Sequence, residues 1–281
     1  MGFSLIHVPD MHFGSGADLD KIASIENLVP DFDPDVVVLS GNITTRARDG
    51  EFQAARLFAR QMARSALVYI IPGSNEAEWW RRPLLPMSLP SKFATYRKYF
   101  GDELTPTFDL SEALITGALT SHGPSLRAFS ARLKDMRRRG YLPEKDVARI
   151  KNRFKNAKPQ QTRIVVMHHN IVPEDSEERP DLARFERARA KLIDAGTDIV
   201  LCGHDATPSV DAIGGVVVSC AGTLAGKEGA DVPVSFHRIV IQDELIQVEV
   251  YLWEAQTKAF RQTDVFAFSR RRKLNDGSKS A

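Results

Sequence analysis

Short apolar runs, each about as long as a buried strand, recur along the first two thirds of the chain. Several of them are rich in Val and Ile, as strands buried on both faces usually are. The runs are Phe3 to Val8, Val36 to Leu39, Leu67 to Ile71, Ala113 to Leu119, Ile164 to Met167 and Ile199 to Cys202. Between the first two runs, Leu19, Ile22, Ile25 and Leu28 recur every three residues and would form one face of a helix. This strand–helix–strand alternation predicts a layered α/β architecture.

The last third of the chain has a different pattern of apolar residues. Val216 to Val218, Phe236 to Ile241 and Ile246 to Trp253 have the pattern of strands, with no helix between them. The polar residues 242–244 would let the last two strands pair in antiparallel fashion. We therefore predict a second, partly antiparallel sheet in this region.

A chain of 281 residues is compatible with one large domain, because α/β folds often exceed the usual domain length. We predict a single domain over residues 1–268, with accessory segments at about 79–101 and about 125–157. The first segment is rich in proline and then in aromatic residues, and the second is strongly basic. Residues 269–281 form a basic, polar tail that we expect to be disordered.

Composition and charge narrow the function classes. The 38 basic and 36 acidic residues give a net charge of +2, which predicts no general attraction to nucleic acid or to a membrane surface. No apolar run approaches the roughly 18 residues that a membrane-spanning helix needs. Cys202 and Cys220 lie in apolar runs, so a disulfide is one interpretation, and two buried thiols in a cytoplasmic protein are the preferred one.

Polar, chemistry-bearing segments follow the predicted strands. They are Asp10-Met11-His12, Gly41-Asn42, Gly73-Ser74-Asn75-Glu76, His168-His169 and Gly203-His204-Asp205-Ala206. Their order and spacing resemble the calcineurin-like metallophosphoesterases, whose pattern is DxH, GD, GNHD, a late His and GHxH. Within that superfamily, residues 10–14 and 99–101 resemble a bacterial branch with a DLHFG-type start. The resemblance spans about residues 3–250 and implies a four-layer α/β/β/α sandwich, with mixed central sheets flanked by helices and a dinuclear site for phosphoester hydrolysis.

The resemblance also implies the metal ligands. These positions are Asp10, His12, Asn42, His169 and His204. Asp10 and His12 match their motif, and residues i and i+2 lie on one side of an extended segment. His169 is the expected ligand of the histidine pair, with His168 pointing the other way.

Four positions depart from the family pattern. Asn42 replaces the bridging aspartate, Ser74 a ligand asparagine, Asn75 the acid histidine and Ala206 a ligand histidine. A pair of dications about 4 Å apart needs anionic ligands, and a neutral amide cannot supply the missing charge. Asn75 also cannot transfer a proton, so no intact catalytic residue stands at the acid position. We predict one divalent ion (Zn²⁺, Mn²⁺ or Fe²⁺) or an empty site, rather than a two-metal centre.

Three functional hypotheses stay open. The preferred one is a phosphoric-ester hydrolase by family that is weak or inactive and binds a phosphorylated small molecule through Arg46, Arg48 and Arg81. The second is an active phosphatase or phosphodiesterase that uses one metal ion, with Asn42 as a neutral ligand. The third is a nucleic-acid binder that uses Arg132 to Arg139 and the basic tail.

Overall fold

A computed structural model describes residues 2–15, 17–78, 92–122, 139–172, 182–204, 207–225 and 232–270. Within them, the chain forms two six-stranded sheets. The first sheet has the spatial order β12 (Ala259–Ser269), β11 (Leu245–Glu254), β10 (Ser235–Ile241), β1 (Phe3–Val8), β2 (Val36–Leu39) and β3 (Leu67–Ile70). The second has the order β4 (Thr107–Asp109), β5 (Ala113–Ala118), β6 (Thr162–Met167), β7 (Ile199–Cys202), β9 (Val216–Cys220) and β8 (Ser209–Ile213).

The two sheets pack face to face, and helices cover their outer faces. The helices are α1 (Leu19–Phe32), α2 (Asp49–Met62), α3 (Ala94–Phe100), α4 (Glu144–Lys155) and α5 (Phe185–Asp194). The first three pack on the first sheet and the last two on the second. A third apolar cluster lies between the sheets. The predicted four-layer α/β/β/α sandwich is therefore confirmed.

The strand β2 shows how the sequence pattern produces these layers. Val36 and Val38 contribute to the cluster between the sheets, whereas Val37 and Leu39 contribute to the cluster under α1 and α2. Because successive side chains of a strand point to opposite faces, a strand covered on both sides must be apolar throughout. All four residues of β2 are fully buried.

The strands of the final third are divided between the two sheets, and each sheet is partly antiparallel, so the predicted second, partly antiparallel sheet is present. The strand β9 joins the second sheet in parallel with β7, and β10 pairs antiparallel with β1 in the first. The predicted antiparallel hairpin of β10 and β11 is present, and β12 extends it. Without β10, β1 would be an edge strand, and pairing with β10 satisfies its backbone groups.

Three further predictions concern the accessory segments and tail, the two cysteines and membrane-spanning helices. Residues 79–91, 125–138 and 271–281 of the accessory segments and tail lie outside the described residues. Cys202 and Cys220 are buried thiols, as preferred, with no disulfide in the described part of the chain. None of the helices in the described part of the chain has the length and apolar character needed to span a bilayer.

Two fully buried histidines lie between the sheets. His7 and His237 are partners in the β1–β10 ladder. His7 Nε2 lies 2.9 Å from Ser40 Oγ, and His237 Nδ1 lies 2.8 Å from Ser219 Oγ. Burial lowers the pKa of both rings, that of His237 to about 3. Both histidines are therefore neutral in the folded protein at neutral pH.

These histidines should make the protein acid-sensitive. The unfolded chain takes up protons near the ordinary histidine pKa and the folded chain does not, so their contribution to stability is complete above about pH 6.5 and is lost below it. His237→Asn retains a polar atom near Ser219 and cannot titrate. Between about pH 7 and about pH 5, its free energy of unfolding should therefore fall by roughly 2 kcal/mol less than that of the wild type in urea titrations. An equal fall in both proteins would contradict this assignment.

Candidate functional site

Several polar residues that follow the strands have a strained backbone. Asp10, His12, Asn42 and His204 have φ values of 42°, 49°, 46° and 71°. Residues other than glycine rarely adopt this left-handed region, and each instance costs of order 1–3 kcal/mol. Such strain persists where the surrounding structure enforces it, which is common at functional sites. These loops therefore have the backbone geometry of a binding or catalytic site.

Close packing between the loops enforces this geometry. The backbone N–H of His12 donates to the carbonyl of Asn42 at 3.0 Å, and that of Asp10 to the carbonyl of Gly41 at 3.3 Å. A Cβ atom on Gly73 would lie 2.2 Å from the backbone nitrogen of Asn42. Gly73 is therefore required for the loop after β3 to approach the loop after β2.

Three histidine side chains meet at this end of the sheets. His168, His169 and His204 each offer a ring nitrogen, and these atoms lie within 4.8 Å of one another. His168 Nε2 is 3.1 Å from His204 Nδ1, and His168 Nδ1 is 3.1 Å from the carbonyl oxygen of Ser40. Since a carbonyl only accepts, His168 donates from Nδ1, and the lone pair of Nε2 faces His204.

The position of His168 corrects the sequence-based assignment. We predicted that His168 would point away from the site, but it is buried and lies between Ser40 and His204. A sequence signal existed, because Ile164 and Val166 face the other sheet and His168 continues their alternation. The structure brings His169 to the site as well, because β6 ends at Met167 and the alternation ends with it.

His169 is held from two sides. Its Nδ1 lies 2.8 Å from Thr120 Oγ1, and its Nε2 lies 3.4 Å from Ser74 Oγ. A Cβ atom on Gly140 would lie only 2.4 Å from Nδ1, so residue 140 must be glycine for the ring to fit. Ser74, predicted as a replaced ligand, therefore lies beside the histidine cluster.

Asp10 supplies the carboxylate of the site. Its Oδ2 accepts from the backbone N–H of His204 at 2.8 Å, and its Oδ1 lies 3.6 Å from His12 Nε2. Oδ1 is buried and makes no hydrogen bond with the described residues. Burial raises the pKa of Asp10, against the opposing effects of His12, His204 and the Asn42 side chain. A buried carboxylate oxygen that accepts no hydrogen bond and lies beside imidazoles is suited to bind a cation.

The two asparagines at replaced positions bond to the protein itself. Asn42 Oδ1 accepts from the backbone N–H of Asn75 at 3.0 Å. Asn75 Nδ2 lies 3.0 Å from both the carbonyl of Thr44 and Nδ1 of His12. Because the Thr44 carbonyl can only accept, this group is the amide NH₂, and His12 Nδ1 accepts its other proton. In that tautomer, His12 carries its own proton on Nε2, toward Asp10.

Glu76 lies behind the loops and orders them. Its carboxylate accepts from the backbone and hydroxyl of Thr44 at 2.8 and 2.7 Å, and from the backbone of Gly73 at 2.7 Å. The side chain is fully buried, and this burial raises its pKa to about 7. Glu76 therefore links the loops after β2 and β3 and does not face the histidines.

Two of the predicted phosphate-binding arginines, Arg46 and Arg48, line a cavity that none of the three clustered histidines lines. Arg46 and Arg48 line a cavity of about 530 Å³ together with Gly14, Ser15 and Glu51. None of the predicted ligand positions lines this cavity. Arg81, Asp205 and Ala206 lie outside the described residues.

Comparisons with known proteins identify the family. The family described as calcineurin-like phosphoesterase matches residues 3–208. None of the curated proteins compared with this chain matches it significantly.

Solved structures with the same fold include proteins of several kinds. Purple acid phosphatase PPD1 from yellow lupin has a TM-score of 0.64 at 14% identity, over 96% of this chain and 54% of that one. GAP50, the anchor in the inner membrane complex of Plasmodium, has a TM-score of 0.64 at 11% identity, over 97% and 90%. Vacuolar protein sorting 29 from Cryptosporidium parvum has a TM-score of 0.51 at 14% identity, over 96% and 100%. At these identities the likeness shows the fold alone. The family match over residues 3–208 agrees with the fold and with the strained loops at the strand ends. The chain therefore belongs to the metal-dependent calcineurin-like phosphoesterase family.

Proposed function

We propose that this protein binds a phosphorylated small molecule in the crevice at the strand ends and hydrolyses phosphoesters slowly or not at all. At most one divalent ion (Zn²⁺, Mn²⁺ or Fe²⁺) would be held, by His168, His169 and His204 with Asp10 nearby. The buried thiols of Cys202 and Cys220 support a reducing compartment such as the cytoplasm.

The observation that carries this proposal is the hydrogen-bonded group Asn42–Asn75–His12. Asn42 Oδ1 already accepts from Asn75, and His12 Nδ1 already accepts from the Asn75 amide. Asn75 therefore joins Asn42 to His12, and protein groups engage both Asn42 Oδ1 and His12 Nδ1. Engagement of these predicted ligand positions by the protein itself favours binding over two-metal catalysis.

Electrostatics argue against a pair of metal ions. Two dications about 4 Å apart repel each other by roughly 16 kcal/mol at an effective dielectric constant near 20. Asp10 is the one carboxylate among the predicted ligand positions, and Asn42 contributes no negative charge. One dication with three neutral imidazoles has no such repulsion to overcome.

The histidine cluster has the donor chemistry for one ion. Three imidazoles with an open fourth position form a common Zn²⁺ site, and such an ion supplies Lewis acidity. His168 donates from Nδ1 to the Ser40 carbonyl, which fixes the tautomer with the ligating lone pair on Nε2, the atom that faces His204 Nδ1 at 3.1 Å. His169 is oriented by Thr120 in a similar way.

The missing proton donor limits catalysis. Asn75 occupies the acid position, and its amide donates hydrogen bonds but cannot protonate a leaving alkoxide. Any hydrolysis would therefore be restricted to esters with good leaving groups, such as nitrophenolate. The active single-metal enzyme is the second candidate, and the strained backbone retained at Asp10 and His204 favours it.

Metal content after purification tests the proposal. We expect no more than one ion per chain, lost in His168→Ala but retained in His12→Ala, because His12 belongs to the hydrogen-bonded group Asn42–Asn75–His12. Elemental analysis of the three proteins measures this. Mn²⁺-dependent hydrolysis of bis-p-nitrophenyl phosphate should be close to background for the wild type.

Two results would contradict the proposal. The first is a metal content of two ions per chain. The second is an equal loss of metal in His12→Ala and His168→Ala, which would show that His12 and the histidine cluster hold the same ion. Rapid, metal-dependent turnover with only one ion present would favour the active single-metal enzyme instead.

A further inference from the structure

The cavity lined by Arg46 and Arg48 is distinct from the histidine cluster and contains two exposed guanidinium groups. Its volume is about 530 Å³, and its walls come from the loop after β1 and from the start of α2. Both arginines have exposed side chains. Within the described residues, neither guanidinium group makes a hydrogen bond or an ion pair.

The acidic residues near this cavity already bond to other groups. Glu51 Oε2 accepts from the backbone N–H of Arg46 at 2.7 Å and of Arg48 at 3.3 Å. Asp49 accepts from Lys98 and from the hydroxyl of Tyr99. Since Glu51 already caps this end of α2, an anion here would bind to the guanidinium groups rather than to the helix end.

The cavity adjoins the histidine site through a short backbone ladder. The N–H of Phe13 donates to Ile43 at 2.8 Å, and that of Thr45 to Phe13 at 3.0 Å. Gly14 lines the cavity and follows His12 by two residues, so their Cα atoms are at most about 7 Å apart. The same loop carries Asp10, which accepts from the backbone N–H of His204 at 2.8 Å. The loop therefore lies between the cavity and the histidine cluster, and one ligand of moderate length would reach both.

We infer that Arg46 and Arg48 form a second anion subsite, and that the ligand is a small molecule with two anionic groups, one at the histidines and one in this cavity. The inference rests on the proposed function, because the first group is the phosphate of that proposal. Two free guanidinium groups match a phosphate or carboxylate, which they bind through paired N–H donors.

Calorimetric titration with two sugar phosphates tests the inference. Fructose 1,6-bisphosphate carries phosphates at both ends of a six-carbon chain, and fructose 6-phosphate carries one. We expect the bisphosphate to bind at least about tenfold more tightly, because its second phosphate would accept charge-assisted hydrogen bonds from the two guanidinium groups. In Arg46→Gln/Arg48→Gln this advantage should disappear, so that the two sugars bind with similar affinity.

A matched control separates a subsite from general charge attraction. Arg187→Gln/Arg261→Gln also removes two exposed arginines, and these are paired with Glu144 and Glu254 elsewhere on the surface. This variant should keep the preference for the bisphosphate. Equal affinities for the two sugars, or a preference that survives Arg46→Gln/Arg48→Gln, would overturn the subsite alone. Binding of neither sugar would overturn both the subsite and the proposed phospho-ligand.

Discussion

Simultaneous Asn42→Asp, Ser74→Asn, Asn75→His and Ala206→His substitutions are expected to give a protein that binds two metal ions and hydrolyses bis-p-nitrophenyl phosphate at least about 10³-fold faster than the wild type. The bridging carboxylate would provide the negative charge that two dications require. The histidine at position 75 would add a proton donor, which matters for esters with poor leaving groups, so the gain with this nitrophenyl ester comes from the second ion. Elemental analysis and initial rates with Mn²⁺ measure the two effects.

The same variant should depend on metal for its stability. Without metal, the carboxylate at position 42 would face the buried Asp10, and two like charges there repel each other. Its melting temperature should therefore rise on addition of Mn²⁺ much more than that of the wild type.

The matched control omits the bridging carboxylate. The triple variant Ser74→Asn/Asn75→His/Ala206→His should take up no second ion, because Asn42 still supplies no charge. If the triple variant binds two ions, the charge argument is wrong. If the quadruple variant binds no more metal than the wild type, the crevice itself has been remodelled beyond these four positions.

Asp198→Asn should lower the free energy of unfolding by roughly 3–5 kcal/mol, because it breaks a buried ion pair. Asp198 pairs with Arg163 through two bonds of 2.7 and 2.9 Å and also accepts the backbone N–H of Arg163 at 2.8 Å. Both side chains are largely buried, with exposed fractions of 5% for Asp198 and 13% for Arg163. Asparagine would leave a buried guanidinium without its counter-charge.

Urea-induced unfolding measures this loss, and Asp194→Asn is its control. Asp194 pairs with Lys151 at 2.6 Å on the surface, with an exposed fraction of 73%. Exposed pairs contribute little, so Asp194→Asn should leave the unfolding transition nearly unchanged. Similar transitions for both variants would show that the buried pair contributes no more than the exposed one. Because Arg163 and Asp198 link the starts of β6 and β7, this pair also supports the strands that carry His168 and His204.

The local pattern of apolar and polar residues was sufficient to predict the layered α/β architecture. The apolar run of β2 and the three-residue recurrence in α1 are properties of neighbouring residues, so they predict a strand and a helix without knowledge of contacts. Pairing is not local, so the sequence does not show which sheet each strand of the last third joins. The partner of β10 is β1, more than two hundred residues earlier, and no periodicity within residues 216–253 carries that information.

By itself, the sequence determined the layered α/β class, and it predicted a candidate site at the strand ends with the neutral Asn42 where the family pattern has an aspartate. These follow from residue type and order, which are fixed in the chain. Only the tertiary structure decided that His168 faces the site, that Asn42 and Asn75 bond to each other and to His12, and that Arg46 and Arg48 line a cavity of their own. Each of these depends on which groups approach within about 3–4 Å when loops more than thirty residues apart fold together, and a side chain can form such contacts with many partners until packing selects one.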